Sequence, residues 1–298
     1  MSGGVFAGFE SKDVRVNGIN VRCRVGGKGP GLLLLHGHPQ THVIWHRVAE
    51  PLASRFTVVA ADLRGYGDTD KPPASDGGSQ YAKREMARDQ RELMQSLGFE
   101  HFMVLAHDRG ARVAHRLAVD FPNAVDRMIL LDIAPTLAMY EQTNEAFARA
   151  YWHWFFLIRP APLPESLIEA NPQQYLESVM GSRSAGLKPF TEAAFAEYLR
   201  CLRLPGTATG MCEDYRASAG IDLQHDKDDR ANGVKVECPI RVLWGEQGVI
   251  AKCFSPLDEW NRVATDVSGM ALPCGHYIPE ELPDRLLEES FAFFSSRD

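Results

Sequence analysis

Three short runs, Gly31–His36 (GLLLLH), Phe56–Ala61 (FTVVAA) and Phe102–Ala106 (FMVLA), carry no charged side chain. They constrain the fold more than any other feature. A strand with one wet face alternates apolar with polar residues, whereas a strand apolar throughout must be covered on both faces. Such strands belong to parallel sheets flanked by helices. Tyr81–Leu97 lies between two of the runs, has apolar residues at helical spacing and is followed by Gly98, a stop signal. Met128–Leu131, Ile240–Trp244 and Val267–Leu272 continue the strand series. Val14–Val16 and Ile19–Val25 flank Asn17-Gly18, a turn pair that predicts an edge hairpin. The expected fold class is α/β: a mostly parallel, eight-stranded, doubly wound sheet that binds ligands beyond the carboxyl ends of its strands.

The alternation breaks after Asp132. From Thr136 to about Asn232 the chain is rich in helix formers and aromatics and is punctuated by prolines, and strand character resumes at Val234–Val242. This predicts a core over 1–135, a helical cap over 136–232 and the remainder of the core over 233–298. The charged stretch His225–Arg230 is expected to be a solvated linker at the cap's exit.

At 298 residues, with 45% hydrophobic and 24% charged residues, the chain can bury one sizeable core with an insertion. Its formal net charge, 32 minus 39 or −7, disfavours nucleic acid as a partner, since that needs a basic footprint. Six dispersed cysteines without a C-x-x-C pair read as free thiols in a reducing compartment. Met1–Glu10 lacks the pattern of a secretory signal, and no apolar run approaches the roughly 18 residues of a membrane span. A soluble cytoplasmic protein is expected.

Ala106-His107-Asp108-Arg109-Gly110 follows a predicted strand and opens a predicted helix through Val113 and Leu117. This is the layout of the G-x-nucleophile-x-G elbow, with Ala106 as a small substitute for the first glycine. His36-Gly37-His38-Pro39 and Asp62-Leu63-Arg64-Gly65-Tyr66-Gly67 each end a strand upstream. Together these segments resemble the α/β-hydrolase superfamily over nearly the whole chain. The resemblance implies oxyanion-stabilising backbone amides at His38 and Arg109. With Asp108 at the elbow, the nucleophile is a carboxylate. It is ionised without help, can displace a leaving group from saturated carbon, and then needs water to cleave the resulting ester.

The general base is expected to be His276, because Cys274-Gly275-His276-Tyr277 follows the last strand, where the superfamily places its histidine. The acid orienting it is less direct. The segment Leu243–Gly248 has no aspartate, so Asp132, directly after the sixth strand, is preferred over Glu246.

Arg109 and Arg112 are three residues apart at the start of the elbow helix and can share one face. Guanidinium groups stay charged and grip carboxylates in a fork, so the pair predicts a small carboxylate-bearing substrate beside Asp108. The bland alternative is that they bridge only to Asp120, Asp126 or other surface acids.

The run His107-Asp108-Arg109-Gly110-Ala111-Arg112, with Tyr151-Trp152-His153-Trp154 and Cys212-Glu213-Asp214-Tyr215-Arg216, resembles the fluoroacetate (haloacetate) dehalogenases. What the resemblance implies is specific. Asp108 attacks the halogen-bearing carbon, Arg109 and Arg112 clamp the carboxylate, and His153, Trp154 and Tyr215 receive the halide. Asp132 completes the triad with His276. No metal or cofactor is expected, the partner is a small halogenated carboxylate, and a homodimer is implied. Trp152, Phe155 and Phe156 read as ordinary core. One departure stands out: the family's aromatic residue in the His-Gly-x-Pro segment is here His38, a polar ring expected to alter the pocket. An epoxide hydrolase using the same aspartyl-ester chemistry and a noncatalytic carboxylate receptor are the competing readings.

Overall fold

The computed structural model describes residues 6–74 and 76–296. Eight strands, β1 (Glu10–Val16), β2 (Ile19–Gly26), β3 (Gly31–Leu35), β4 (Thr57–Ala61), β5 (Phe102–His107), β6 (Val125–Leu131), β7 (Ile240–Gly245) and β8 (Val267–Leu272), form one sheet. Its order is β1-β2-β4-β3-β5-β6-β7-β8. Only β2 runs against its neighbours; the pairs from β4 through β8 are parallel. The β1–β2 hairpin turns at Asn17 (φ 42°) and Gly18 (φ 79°), two positive φ values that match the strands' twist.

The apolar runs are covered on both faces. Along β3, β4 and β5, residues Leu33, Leu35, Val59, Ala61, Val104 and Ala106 enter one core. The intervening Leu32, Leu34, Val58, Ala60, Met103 and Leu105 enter the other. Helices Lys83–Ser96 and Arg109–Asp120 cover the first face, and Ala49–Leu52 and Pro283–Phe294 cover the second. Each fully buried aliphatic side chain contributes roughly 1.5–3 kcal/mol. The rigid sheet that results carries the ends of β3, β5 and β6 as fixed supports.

Helices fill the chain from Thr136 to Ala231. Here two expectations fail. His225–Arg230 is not a linker but part of the helix Ile221–Ala231. Its acids are spent across elements: Arg116 of the elbow helix binds Asp226 at 3.3 Å and also Asp229, besides Asp120 at 3.0 Å. Nor is Val234–Val242 one strand. Only Val236 bridges to Ala264 before β7 opens at Ile240, after Pro239, which has no N–H to donate. Among the described residues no helix is long and apolar enough to cross a membrane, and all six cysteines are free.

The helical segment is tied to the sheet domain through Glu280. Its carboxylate accepts from Gln40 Nε2 at 2.6 Å and from Tyr198 Oη, on the helix Glu192–Leu202, at 3.0 Å. Burial pushes Glu280 up to about 8 despite those donors. A carboxyl raised on folding stabilises the fold least when ionised, so stability should fall as pH rises from the unfolded value toward 8. We predict that Tm drops between pH 6 and 9 by an amount equivalent to a few kcal/mol, and that Glu280→Gln flattens this slope. Thermal melts across that range check it; an unchanged slope in the variant would refute the assignment to Glu280.

Candidate active site

β5 ends at His107 and the elbow helix begins at Arg109. Asp108, between them, sits at φ 47° and ψ −113°, a conformation that costs a residue with a Cβ about 1–3 kcal/mol. Glycines let the neighbouring chain come close. A Cβ on Gly110 would lie 2.4 Å from the His36 carbonyl oxygen, and one on Gly37 would lie 2.4 Å from Asp108 Cβ. With β3 thus pressed against the turn, the His38 backbone N–H donates to Asp108 Oδ1 at 2.9 Å.

Asp108 is 3% exposed. Burial pushes its proton affinity up, but His276, His107, Arg112 and Arg109 together hold it well below the usual carboxylate range. It is therefore ionised, and its buried charge is stabilised by surrounding dipoles and the two arginines.

Asp132 directly follows β6 and also has a positive φ, 50°. Its Oδ1 accepts from the Gly245 N–H at 3.0 Å and its Oδ2 lies 2.6 Å from His276 Nδ1. Glu246 is exposed. Asp132 is thus the carboxylate that meets His276. His107 packs against His276 with ring centroids 4.6 Å apart and bonds the His276 carbonyl through Nε2 at 2.9 Å. His276 is thus held by its ring at Asp132 and by its carbonyl at His107.

The two arginines differ in a way their spacing did not foretell. Arg109 Nε and Nη2 each donate to Asp214 at 2.8 Å, and Nη2 also reaches Ser218 Oγ at 2.6 Å. Its Nη1 has no partner. Asp214 is a buried hub that also takes Tyr66 Oη at 2.7 Å and Lys83 Nζ. The acid holding Arg109 is therefore internal, not one of the surface acids. Arg112 has only neutral partners, Thr136 Oγ1 at 2.9 Å, Ala134 O at 3.3 Å and Met139 Sδ at 3.0 Å, and its Nε is unpartnered. Burial and the neighbouring Arg109 lower its proton affinity.

His153 and Trp154 stand on the short helix Trp152–Leu157, and Tyr215 on Thr207–Ala219. Each arginine lies over one ring: Arg109 is 4.1 Å from the Tyr215 centroid and Arg112 is 4.8 Å from that of Trp154. The Tyr215 ring is 5.8 Å from His153 and 6.1 Å from Trp154. Trp154 Nε1 and Tyr215 Oη are buried without hydrogen-bond partners. Burial, with Arg183 and His38 nearby, holds His153 far below its ordinary value, so it is neutral and has one N–H to donate. Trp152, Phe155 and Phe156 are partly buried packing residues.

His38 joins this cluster with more than its amide. Its ring stacks on His153 at 5.6 Å, meets Tyr215 edge-on at 5.1 Å and shares a 2.9 Å hydrogen bond between Nε2 and Tyr175 Oη. Burial lowers it to about 3, leaving a neutral ring. Sequence reasoning missed Asp214, Lys83, Tyr66 and Tyr175. Asp214 lies within a quoted motif, but its link to Lys83 spans 131 positions, and no local pattern signals it.

A family model for the alpha/beta hydrolase fold matches residues 30–247. The chain is 43% identical to a fluoroacetate dehalogenase of Burkholderia sp over 96% of this chain and 94% of that protein. It is 33% identical to a soluble epoxide hydrolase of Corynebacterium sp. (strain C12) over 94% and 95%. Among solved structures, a Nostoc sp PCC 7120 protein, named only provisionally as an alpha/beta hydrolase, superimposes with a TM-score of 0.96 at 49% identity, covering 98% of this chain and all of that one. With the elbow at Asp108 and a matched sheet around it, the chain belongs to the alpha/beta hydrolase superfamily and, within it, to the family of the Burkholderia fluoroacetate dehalogenase.

Proposed function

We propose that this protein hydrolyses the carbon–halogen bond of haloacetates, fluoroacetate among them, through an ester of Asp108. The observation that carries the reading is Arg112, a buried cation with no carboxylate partner among the described residues, next to an ionised Asp108. Burying an unpaired charge costs several kcal/mol, and an anionic substrate offsets that cost. Arg109 Nη1, also without a partner, offers a second donor to the same carboxylate. The clamp then sets the carbon beside the carboxylate in front of Asp108.

In the first step an Asp108 oxygen attacks that carbon from the side opposite the halogen, the C–O bond forms, and halide leaves with the bonding electrons. Trp154 Nε1, Tyr215 Oη and His153 supply the donors that receive it. Each well-placed donor is worth roughly 3–4 kcal/mol at the transition state. In the second step His276 takes a proton from water, whose oxygen attacks the Asp108 carboxyl carbon. The imidazolium is stabilised by Asp132, and the oxyanion by the backbone N–H groups of His38 and Arg109. As the tetrahedral centre collapses, the imidazolium gives its proton to the departing alkoxide oxygen, the hydroxyacid anion leaves, and the Asp108 carboxyl, now carrying one oxygen from water, loses a proton to solvent and returns as carboxylate. In this reading the helical segment 136–232 is a cap over a core of 1–135 and 233–298, and the cap supplies all three halide donors.

One observation also favours epoxide opening: Tyr215 Oη is free to donate to an epoxide oxygen, and an epoxide hydrolase is among the relatives. Halide release from fluoroacetate and chloroacetate, measured against diol formation from styrene oxide, separates the two. Halide without diol is expected; diol without halide would sink the proposal. After a single turnover in heavy-oxygen water, the Asp108 peptide should carry the label. His276→Ala should still release one halide per site but accumulate the ester, visible as an added mass on that peptide. Arg112→Leu, which keeps the bulk and removes the charge, should lower kcat/KM on chloroacetate by about a hundredfold or more, as expected for a lost charge-assisted fork. An Arg112→Leu enzyme of wild-type efficiency would remove the main support.

A further inference from the structure

A protein of net charge −7 repels small anions at a distance, so an anionic substrate needs a locally positive way in. A cavity of about 330 Å³ reaches His276 from the seam between the helical segment and the core. Its charged lining is Arg149, Arg183 and Lys252, with His276 at its inner end, and no carboxylate among the described residues lines it. Arg149 spends its charge on Glu145 at 2.7 Å. Arg183 does not: Nη1 donates to the Ala150 carbonyl at 3.3 Å, the guanidinium lies 4.3 Å over the Tyr151 ring, and Nε is buried without a partner. Lys252, on the short helix Val249–Cys253, is exposed and also has no carboxylate partner among the described residues.

Arg183, Tyr151 and His276 form a column. Tyr151, beneath Arg183, meets the His276 ring edge-on at 6.4 Å. Burial, and after it the charge of Arg183, lowers the proton affinity of His153; burial likewise weakens the hold of Arg183 on its proton, and Tyr151, Tyr277 and then Asp108 strengthen it, so the cavity lies within the field of the site. Resting on the haloacetate reading, we infer that this cavity is the anion entrance of the enzyme, with Arg183 and Lys252 drawing the substrate carboxylate in and leading the halide out. Neither group takes part in bond making. Their effect falls on encounter and release, where a focused field raises local anion concentration and is weakened by salt.

The test compares wild type with Arg183→Gln, Arg183→Gln/Lys252→Gln and Arg183→Lys, on chloroacetate, as a bulky sodium salt raises ionic strength from about 20 to about 300 mM. The wild-type kcat/KM should fall with salt. The double variant should start roughly three- to tenfold lower and respond less to salt, while its single-turnover rate at saturating substrate stays within about twofold. Arg183→Lys should keep most of the wild-type efficiency. An unchanged kcat/KM and salt response in the double variant would overturn the inference, as would Arg183→Lys failing as fully as Arg183→Gln, since that marks a packing role over Tyr151. Stopped-flow tryptophan fluorescence of chloroacetate association with Asp108→Asn protein, with and without the two charge changes, needs no turnover. Slower, less salt-sensitive association supports the entrance even where halide release fails, and equal association rates with and without the charge changes overturn it.

Discussion

The buried negative charge of Asp108 is the constraint on which the rest of the site depends. A carboxylate without water is costly by several kcal/mol unless dipoles and cations replace the solvent. Here the replacements come partly from its own turn, His107 at the end of β5 with Arg109 and Arg112 of the elbow helix, and partly from distant segments, the His38 N–H after β3 and His276 after β8. The segment after β3 comes this close only because Gly37 and Gly110 carry no Cβ: one would strike the Asp108 side chain and the other the His36 and Leu35 carbonyls. The strained turn and the charge are parts of the same arrangement, since relaxing the turn would withdraw the carboxylate from its donors.

The same accounting separates the two arginines. Arg109 is neutralised by Asp214, which is itself shared with Lys83 and Tyr66, so its guanidinium is fixed and one nitrogen remains to spare. Arg112 lies among neutral acceptors and over the Trp154 ring, a setting that leaves its charge available. A site with one anchored cation and one that shares only the field of Asp108, with no carboxylate hydrogen-bonded to it among the described residues, is organised before any ligand arrives yet still favours an anion. The stacking of each guanidinium on an aromatic ring fixes the separation between the proposed carboxylate clamp and the proposed halide donors.

His38 changes character between sequence and structure. As a sequence feature it is a polar departure from an aromatic position. In the fold it is a neutral ring, stacked on His153 and bonded to Tyr175, that packs much as an aromatic would. The charged stretch at 225–230 shows the opposite error: read alone it is solvated, but Asp226 and Asp229 face Arg116 and form part of the seam joining the helical segment to the elbow helix.

What the sequence determined by itself was whatever depends on near neighbours along the chain. The two-sided sheet follows from runs such as GLLLLH, because an apolar strand has no face to give to water. The elbow follows from a small residue, Asp108 and Gly110 at a strand–helix boundary, and the helical segment from the loss of strand periodicity after Asp132. The tertiary structure alone decided which acids meet the two arginines. Asp132 at His276 was already preferred from the sequence, but Asp214 at Arg109, 105 positions away, and the absence of an acid hydrogen-bonded to Arg112 among the described residues are outcomes of packing. Ion pairing inside a protein is set by distance and desolvation, and neither is written in local spacing.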